Sequence, residues 1–279
     1  MQFSLDKSLV LPWSDKLSNE EPYEYPYLAA YKEKGKSLHY IAALHSTDEN
    51  SKTFKLIRKT INEEQIELVI VEGISNSLGF SPEPVKKWAS LQGNNGKYDG
   101  FETAFTLKTC VATDIAFIGG EPEKEYIHSE LLKQGFITED YLFYSYTQQI
   151  FQAKEASSLE SLVIEDYFKE YIQEKIKNIN LNNVYTFDQF HKWFQKNNFE
   201  VFSTSQIAPE TCAPYQSGKL LTQRVSSAIC ILRDQFTITV IEKALMKFDN
   251  VMIVYGGSHW STQKVVLSQA LGNAKFSKL

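Results

Sequence analysis

The sequence predicts an α/β protein whose mainly parallel central sheet is flanked by helices and carries a helical insertion. Four short apolar runs have the length of buried strands, and amphipathic helical patterns lie between them. The first strand, helix and strand occupy about 35 residues, the length of one βαβ unit, which is typical of a parallel sheet. A chain of 279 residues, 43% of them hydrophobic, is long enough to bury a sizeable core.

The first predicted strand covers residues 38–44, an apolar run that includes one histidine. Residues 45–48 follow it and offer side chains of the kind that cap helices. Phe54, Ile57 and Ile61 then recur at helical spacing, which predicts an amphipathic helix with one buried face.

The second strand is predicted at residues 67–71 and the third at residues 115–118. A helix over residues 101–110 leads into the third strand. Residues 75–100 contain repeated glycine and proline, which predicts a long loop over the sheet. Loops of that length in compact domains are often functional.

Residues 123–224 are predicted to be mostly helical. Their clearest signal is an apolar stripe with both charge signs between its members, which is typical of an amphipathic helix that caps a core. The stripe consists of Leu159, Leu162, Val163, Tyr167, Phe168, Tyr171, Ile172, Ile176 and Ile179. A helical block over residues 236–248, or a helix that begins earlier near Gln223, then leads to the fourth strand at residues 251–255, and a final helix follows.

The fourth strand returns the chain to the sheet built by the first half, which predicts a single α/β domain over residues 1–279. Its core comprises approximately residues 37–122 and 220–279, and the helical insertion covers approximately residues 123–219. Residues 1–36 are rich in proline and tyrosine, and the prolines oppose a long helix there.

Composition excludes several classes of protein. With 34 acidic and 29 basic side chains the formal net charge is -5, the wrong sign for a surface that binds nucleic acid. The apolar runs fall far short of the roughly 20 residues of a membrane span, and the N-terminus lacks a secretory pattern. Three widely spaced cysteines without CxxC oppose a disulfide framework. These features predict a cytoplasmic protein with no membrane span and no nucleic-acid partner.

Candidate functional residues follow the four predicted strands. His45 follows the first strand, Glu72 the second, Glu121 the third and His259 the fourth. The carboxyl ends of parallel strands share one edge, where ligands of open α/β sheets bind, so we expect these side chains to lie together. Each residue alone is also compatible with a structural hydrogen bond or a turn. Their coincidence at four strand ends favours a functional site.

Imidazoles and carboxylates in one place can support two kinds of chemistry. They can bind a divalent metal that generates hydroxide near neutral pH, or they can act as general base and acid without metal. The spacing leaves both open, since no HExxH motif occurs. Arg233, which precedes Asp234, can clamp an anionic oxygen of a ligand. Its alternative, slightly favoured, is a structural ion pair with Glu72 or Glu102.

Five segments occur in a characteristic order along the chain. They are Ala43-Leu44-His45, Val69-Ile70-Val71-Glu72-Gly73, Gly100-Phe101-Glu102, Arg233-Asp234 and Val254-Tyr255-Gly256-Gly257-Ser258-His259. In this order they resemble the TraB/Tiki/erythromycin-esterase/ChaN superfamily, and the C-terminal Gly-Gly-Ser-His is the most specific piece. The resemblance implies a catalytic set of His45, Glu72, Glu102, Arg233 and His259.

Members of this superfamily include metal-dependent proteases and metal-independent ester hydrolases. The resemblance therefore implies a hydrolase that cleaves an ester or amide bond of a small-molecule or peptide substrate. If a divalent metal such as Mn, Co or Zn is used, the implied ligands are His45, Glu72 and His259. Secondary candidates near the implied residues are Asp48, Glu121, Asp234 and Ser258.

The chain departs from the family pattern at two positions. Ala42 stands where the leading histidine motif usually begins with glycine, and Glu121 precedes proline where many members carry Asp-Arg. The substrate pocket is therefore expected to differ from that of other members. The alternative function is a non-catalytic module of the same fold that binds a small anionic ligand or a partner.

Overall fold

The computed structural model describes residues 4–155 and 163–279. Within these ranges a six-stranded, mostly parallel sheet lies among helices, which confirms the predicted α/β class. The strands are β1 (Tyr27–Glu33), β2 (Lys36–Ala43), β3 (Leu68–Ser75), β4 (Ala116–Glu121), β5 (Asn250–Gly256) and β6 (Lys275–Ser277). Their order across the sheet is β4-β3-β5-β2-β1-β6. The first four are parallel neighbours, and β1 runs antiparallel to β2 and β6.

The helices of the described residues fall before, between and after these strands. They are α1 (Asp15–Asn19), α2 (Lys52–Glu63), α3 (Glu83–Ser90), α4 (Phe101–Thr113), α5 (Lys124–Lys133), α6 (Thr138–Glu155), α7 (Ile164–Lys177), α8 (Phe187–Asn198), α9 (Pro209–Cys212), α10 (Leu221–Lys247) and α11 (Gly257–Leu271). In the part of the chain that the structure describes, none of them is long and apolar enough to cross a membrane.

Helices cover both faces of the sheet. On one face α2, α3 and α4 pack against strand residues such as Ile41, Val69 and Val254. On the other face α10 and α11 pack against residues such as Tyr40 and Ile253. Because successive side chains of a strand point to opposite faces, burial on both faces requires unbroken apolar strands. This explains the apolar runs in β2, β3 and β5.

The four predicted strands correspond to β2, β3, β4 and β5, whereas β1 and β6 were not predicted. β1 lies at the end of residues 1–36, the segment in which the prolines oppose a long helix. Those prolines, at positions 12, 22 and 26, all precede Tyr27, so the strand itself is free of them. β1 then pairs with β2 along its whole length across a short turn.

The predicted loop over residues 75–100 is wrong over part of its length, because α3 lies within it. Pro84 occupies the first turn of α3, where a missing N–H removes no intrahelical hydrogen bond, so this proline marks a helix start. α2 is capped by Ser51 and not by residues 45–48. α10 begins at Leu221, which agrees with the earlier of the two predicted starts, near Gln223. Positions 159–162 of the predicted stripe lie outside the described residues.

The chain divides into two compact units. The first comprises the residues up to Leu11, Asp15–Pro122 and Arg233–Leu279, and it contains the sheet. The second comprises Pro12–Ser14 and Glu123–Leu232, and it has its own aromatic core with Tyr146, Phe168 and Phe190 fully buried. That the whole chain forms one domain stays a prediction.

A bulge lies near the carboxyl end of β3. Val71 pairs with Gly119 and Ser75 pairs with Glu121, so residues 72–74 of β3 face the single residue Gly120 of β4. The extra residues bring the β3 backbone against Gly119, where a Cβ atom would lie only 2.1 Å from the carbonyl oxygen of Ile74. Glycine at position 119 therefore permits the bulge that contains Glu72.

We expect Gly119→Ala to lower the free energy of unfolding by about 2 kcal/mol, because its methyl group meets backbone that cannot rotate away. Chemical denaturation measures the change. Ala116→Ser, on the same strand before the bulge, is the matched control and is expected to change stability by less than about 0.5 kcal/mol. Equal midpoints for Gly119→Ala and the wild type would contradict this account of the bulge.

Candidate functional site

The parallel strands bring the predicted strand-end residues to one edge of the sheet. Across this edge β4 ends at Glu121, β3 carries Glu72, β5 ends at Gly256, and β2 leads into His45. α11 starts directly after Gly256 and places His259 in its first turn. This edge is where open α/β sheets bind ligands, as the sequence predicted.

The carboxylate of Glu72 lies at the centre of the site. Its Oε1 accepts a hydrogen bond from Nη2 of Arg233 at 3.1 Å and lies 3.3 Å from Nε2 of His259. Its Oε2 accepts the backbone N–H of Gly256 at 2.8 Å. Burial alone would raise the pKa of Glu72, but the cations of His259 and Arg233 and the Gly256 N–H hold it well below its usual range. Glu72 is therefore a fixed anion.

Arg233 of α10 is bound by two carboxylates. Its Nε and Nη2 donate to the two oxygens of Glu121, each at 2.7 Å, in a bidentate pair. Nη2 also donates to Glu72, so the guanidinium joins the ends of β3 and β4. This geometry agrees with the structural pairing that the sequence slightly favoured, with Glu72 as the partner.

Both ring nitrogens of His259 face carboxylates. Nδ1 lies 2.6 Å from Oδ1 of Asp234, and Nε2 lies against Glu72. Asp234 is 1% exposed and also accepts hydrogen bonds from Thr262 and Gln263, at 2.6 Å and 2.7 Å. Burial alone would lower the pKa of His259, but the charges of Asp234 and Glu72 raise it well above its usual value. His259 is therefore a cation that donates from both nitrogens.

Opposite charges alternate along this part of the site. The series, in spatial order, is Glu121, Arg233, Glu72, His259 and Asp234. Each interior member lies between two charges of opposite sign, which is the condition under which partly buried ions are tolerated. We call these five residues the charge chain.

His45 stands beside the charge chain and has a different environment. Its Nδ1 lies 2.6 Å from Oε1 of Glu102, which is in the first turn of α4 and is 2% exposed. The side chain of His45 is 59% exposed. The hydrogen bond with Glu102 raises the pKa of His45 above its usual value. With Nδ1–H donated to Glu102, the lone pair of the neutral imidazole lies on Nε2.

Gly256 allows His45 and Glu72 to approach each other. A Cβ atom on Gly256 would lie 3.1 Å from Nε2 of His45 and 3.4 Å from Oε2 of Glu72. A side chain would therefore fill the space between the imidazole and the carboxylate. This close approach explains the first glycine of the Gly-Gly-Ser-His motif.

His45, Glu72 and Glu102 can together hold a metal ion. One ligand atom from each lies within 4.8 Å of the others. Among the described residues, Oε2 of Glu102 is also buried without a hydrogen-bond partner. The resemblance implied His259 as the third ligand, but both of its nitrogens are engaged by carboxylates, and Glu102 lies in the group instead.

The secondary candidates divide into two groups. Glu121 and Asp234 belong to the charge chain, and Ser258 is exposed in the first turn of α11. Asp48 lies in a loop, where its carboxylate accepts the backbone N–H of Asn50. Thr262 and Gln263, which donate to Asp234, were not among the predicted residues. Their spacing of three and four residues from His259 places them on the same helix face, which is the signal that points to them.

Comparisons of the chain with protein-family models, with curated proteins and with solved structures gave no match. The resemblance to the TraB/Tiki/erythromycin-esterase/ChaN superfamily stays a prediction from the motifs. The structure brings the residues that it implies to one edge of the sheet, and these are His45, Glu72, Glu102, Arg233 and His259.

We expect Glu72→Gln to lower the free energy of unfolding by about 3 kcal/mol, because Arg233 and His259 lose the anion between them. Urea denaturation at neutral pH measures the loss. Glu83→Gln, at a side chain that is 84% exposed, is the matched control for loss of one carboxylate and is expected to change stability little. A loss no larger than that of the control would show that the charge chain does not depend on Glu72.

The stabilisation by His259 is expected to decrease with rising pH. Its folded-state pKa lies well above the ordinary 6.5, so the folded protein keeps a proton that the unfolded chain releases. The contribution is fully present below pH 6.5 and is lost as pH rises through the folded pKa. Denaturation of wild type and His259→Gln in a pH series should give a stability difference that is largest near pH 6 and shrinks at alkaline pH. A difference that grows with pH would contradict the protonated state.

Proposed function

We propose that this chain hydrolyses carboxylic esters or amides, with His45 as the general base that activates water. The observation that supports the proposal is the 2.6 Å hydrogen bond between the buried carboxylate of Glu102 and the largely exposed imidazole of His45. A carboxylate on Nδ1 fixes the tautomer and stabilises the imidazolium that forms when Nε2 takes a proton. His259 has no such free nitrogen, which leaves His45 as the base of this site.

The reaction balances with these groups alone. Nε2 of His45 takes a proton from water while the water oxygen bonds to the carbonyl carbon, and the carbonyl electron pair moves onto oxygen. The imidazolium, stabilised by Glu102, then returns the proton to the leaving oxygen or nitrogen as its bond to carbon breaks. A carboxylic acid and an alcohol or amine leave, and His45 is neutral again.

The start of α11 is suited to stabilise the oxyanion. The helix begins beside His45, directly after Gly256, and no side chain caps it. The first backbone N–H groups of a helix lack intrahelical partners and lie at the positive end of the helix dipole. Donors aimed at the developing charge contribute strongly to acyl transfer. We assign this role to the backbone N–H groups of Gly257 and Ser258.

The charge chain positions this machinery. Glu72 accepts the Gly256 N–H and so fixes the residue from which α11 starts. Glu72 is not the general base, because its pKa lies well below the usual range and three donors surround it. Arg233 acts through Glu72 and Glu121, and its role in the proposal is positioning.

A metal-assisted hydrolysis is the second candidate. It is favoured by the convergence of His45, Glu72 and Glu102 and by the unpartnered buried oxygen of Glu102. Imidazole and carboxylate ligands suit Mn, Co or Zn, and such an ion would lower the pKa of a bound water. These three side chains would hold it.

We expect His45→Ala to lower kcat/KM for para-nitrophenyl acetate by about 100- to 10,000-fold, the usual contribution of a general base. In the wild type the rate should rise with pH as His45 loses its proton, with a midpoint above 6.5 because Glu102 raises its pKa. Glu102→Gln should lower both the rate and this midpoint.

His191→Ala, which removes a histidine of the second unit, is the control for non-specific hydrolysis by imidazole. Equal activity of His45→Ala and His191→Ala would contradict the proposal and favour the non-catalytic module. Elemental mass spectrometry after incubation with Mn, Co or Zn separates the two candidates. A stoichiometric ion that is lost in His45→Ala, with activity that a chelator removes, would select the metal-assisted reaction.

A further inference from the structure

Two large, exposed apolar residues are neighbours of His45, one in the chain and one in space. Leu44 directly precedes it and is 56% exposed, and Phe101 is 49% exposed. The ring of Phe101 meets the imidazole of His45 edge to face, with ring centroids 6.0 Å apart. The exposed imidazole therefore has an aromatic ring beside it, and the buried carboxylate of Glu102 holds its Nδ1.

The backbone of Phe101 is held in an unfavourable conformation. Its φ of 53° lies in the left-handed region, which large side chains rarely adopt. The N–H of Phe101 donates to the carbonyl of the buried residue Tyr98 at 3.0 Å, immediately before α4 continues to Glu102. Strain of this kind persists where the surroundings over-determine it, and it is concentrated at functional sites. The strain accompanies an exposed aromatic ring beside the proposed base.

The backbone of Leu44 is also fixed. The hydroxyl of Thr53 accepts the N–H of Leu44 at 3.2 Å and donates to its carbonyl oxygen at 2.7 Å. Thr53 is only 1% exposed, so a buried group fixes the residue whose side chain faces solvent. Leu44, directly before His45 in the chain, is thus exposed on a backbone that a buried side chain holds.

The charges near His45 oppose an anionic ligand. Four carboxylates, those of Glu72, Glu102, Glu121 and Asp234, are balanced by only two cations, Arg233 and His259. The negative charge disfavours an anionic acyl group, and the exposed apolar surface of Leu44 and Phe101 favours an apolar one.

We propose that Leu44 and Phe101 form an apolar subsite for the acyl group of the substrate, so that the substrates are neutral esters or amides of apolar carboxylic acids. The proposal rests on the proposed hydrolysis for its catalytic part. The binding part stands on the exposure of these two side chains, on their fixed backbones and on the contact of Phe101 with His45.

The test compares para-nitrophenyl hexanoate with para-nitrophenyl acetate. In Phe101→Gly the ratio of kcat/KM for hexanoate to that for acetate should fall about tenfold, since a large part of the apolar contact is lost. Glycine adopts a φ of 53° without strain, so the melting temperature should not fall. Val111→Ala, on the same helix at a side chain that is 40% exposed, is the matched control and should leave the ratio unchanged.

A binding measurement separates this proposal from the proposed hydrolysis. Ligand-observed NMR with hexanamide and acetamide requires no turnover. Stronger binding of hexanamide by the wild type, lost in Phe101→Gly and kept in Val111→Ala, would support the subsite even in a protein that hydrolyses nothing. Equal binding of hexanamide by wild type and Phe101→Gly, or an unchanged ester ratio in an active enzyme, would overturn it.

Discussion

The site depends on the position of one carboxylate. Glu72 accepts from Arg233, which lies 161 positions later in the chain, and from the Gly256 N–H, and it faces the imidazolium of His259. Through these contacts a bulge of β3 is joined to α10, to the end of β5 and to the start of α11. Loss of the Glu72 charge would leave two cations adjacent to each other, so the fold and the site are stabilised by the same ion pairs.

The two histidines at this edge differ because their surroundings differ. His259 lies between Asp234 and Glu72 and is 11% exposed at its side chain, so both nitrogens donate and the ring is a permanent cation near neutral pH. His45 has one hydrogen-bonded carboxylate partner and its side chain is 59% exposed, so Nδ1 is held by Glu102 while Nε2 lies beside Gly256. One residue type therefore supplies a structural cation and the proposed general base, and the number of carboxylates around each ring sets this difference.

Local patterns were sufficient to predict the four parallel strands and the edge at which His45, Glu72, Glu121 and His259 meet, because buried parallel strands require apolar runs. Local patterns did not predict β1 and α3, because there the exact position of each proline relative to the element decides the structure. The prolines of residues 1–36 opposed a long helix there but gave no sign of β1, and Pro84 was interpreted as part of a loop although it opens α3. The bulge in β3 has no periodic signal in the sequence, because it depends on the close approach of two strands at Gly119. The engagement of His259 by Asp234 depends on contacts between α10 and α11, which local pattern does not specify.

The arrangement separates two physical tasks at His45. Behind the imidazole, carboxylates and cations in fixed geometry set its tautomer and its pKa, and they need burial to act strongly. Leu44 and Phe101 expose apolar surface near it, which the proposed subsite requires to be accessible. An exposed phenyl ring held at a strained φ contributes little to folding, so stability gives no reason to keep it there. The proposed contact with a ligand supplies a reason for the exposed ring. An apolar group that covers Phe101 would also exclude water from the His45–Glu102 pair and strengthen their interaction.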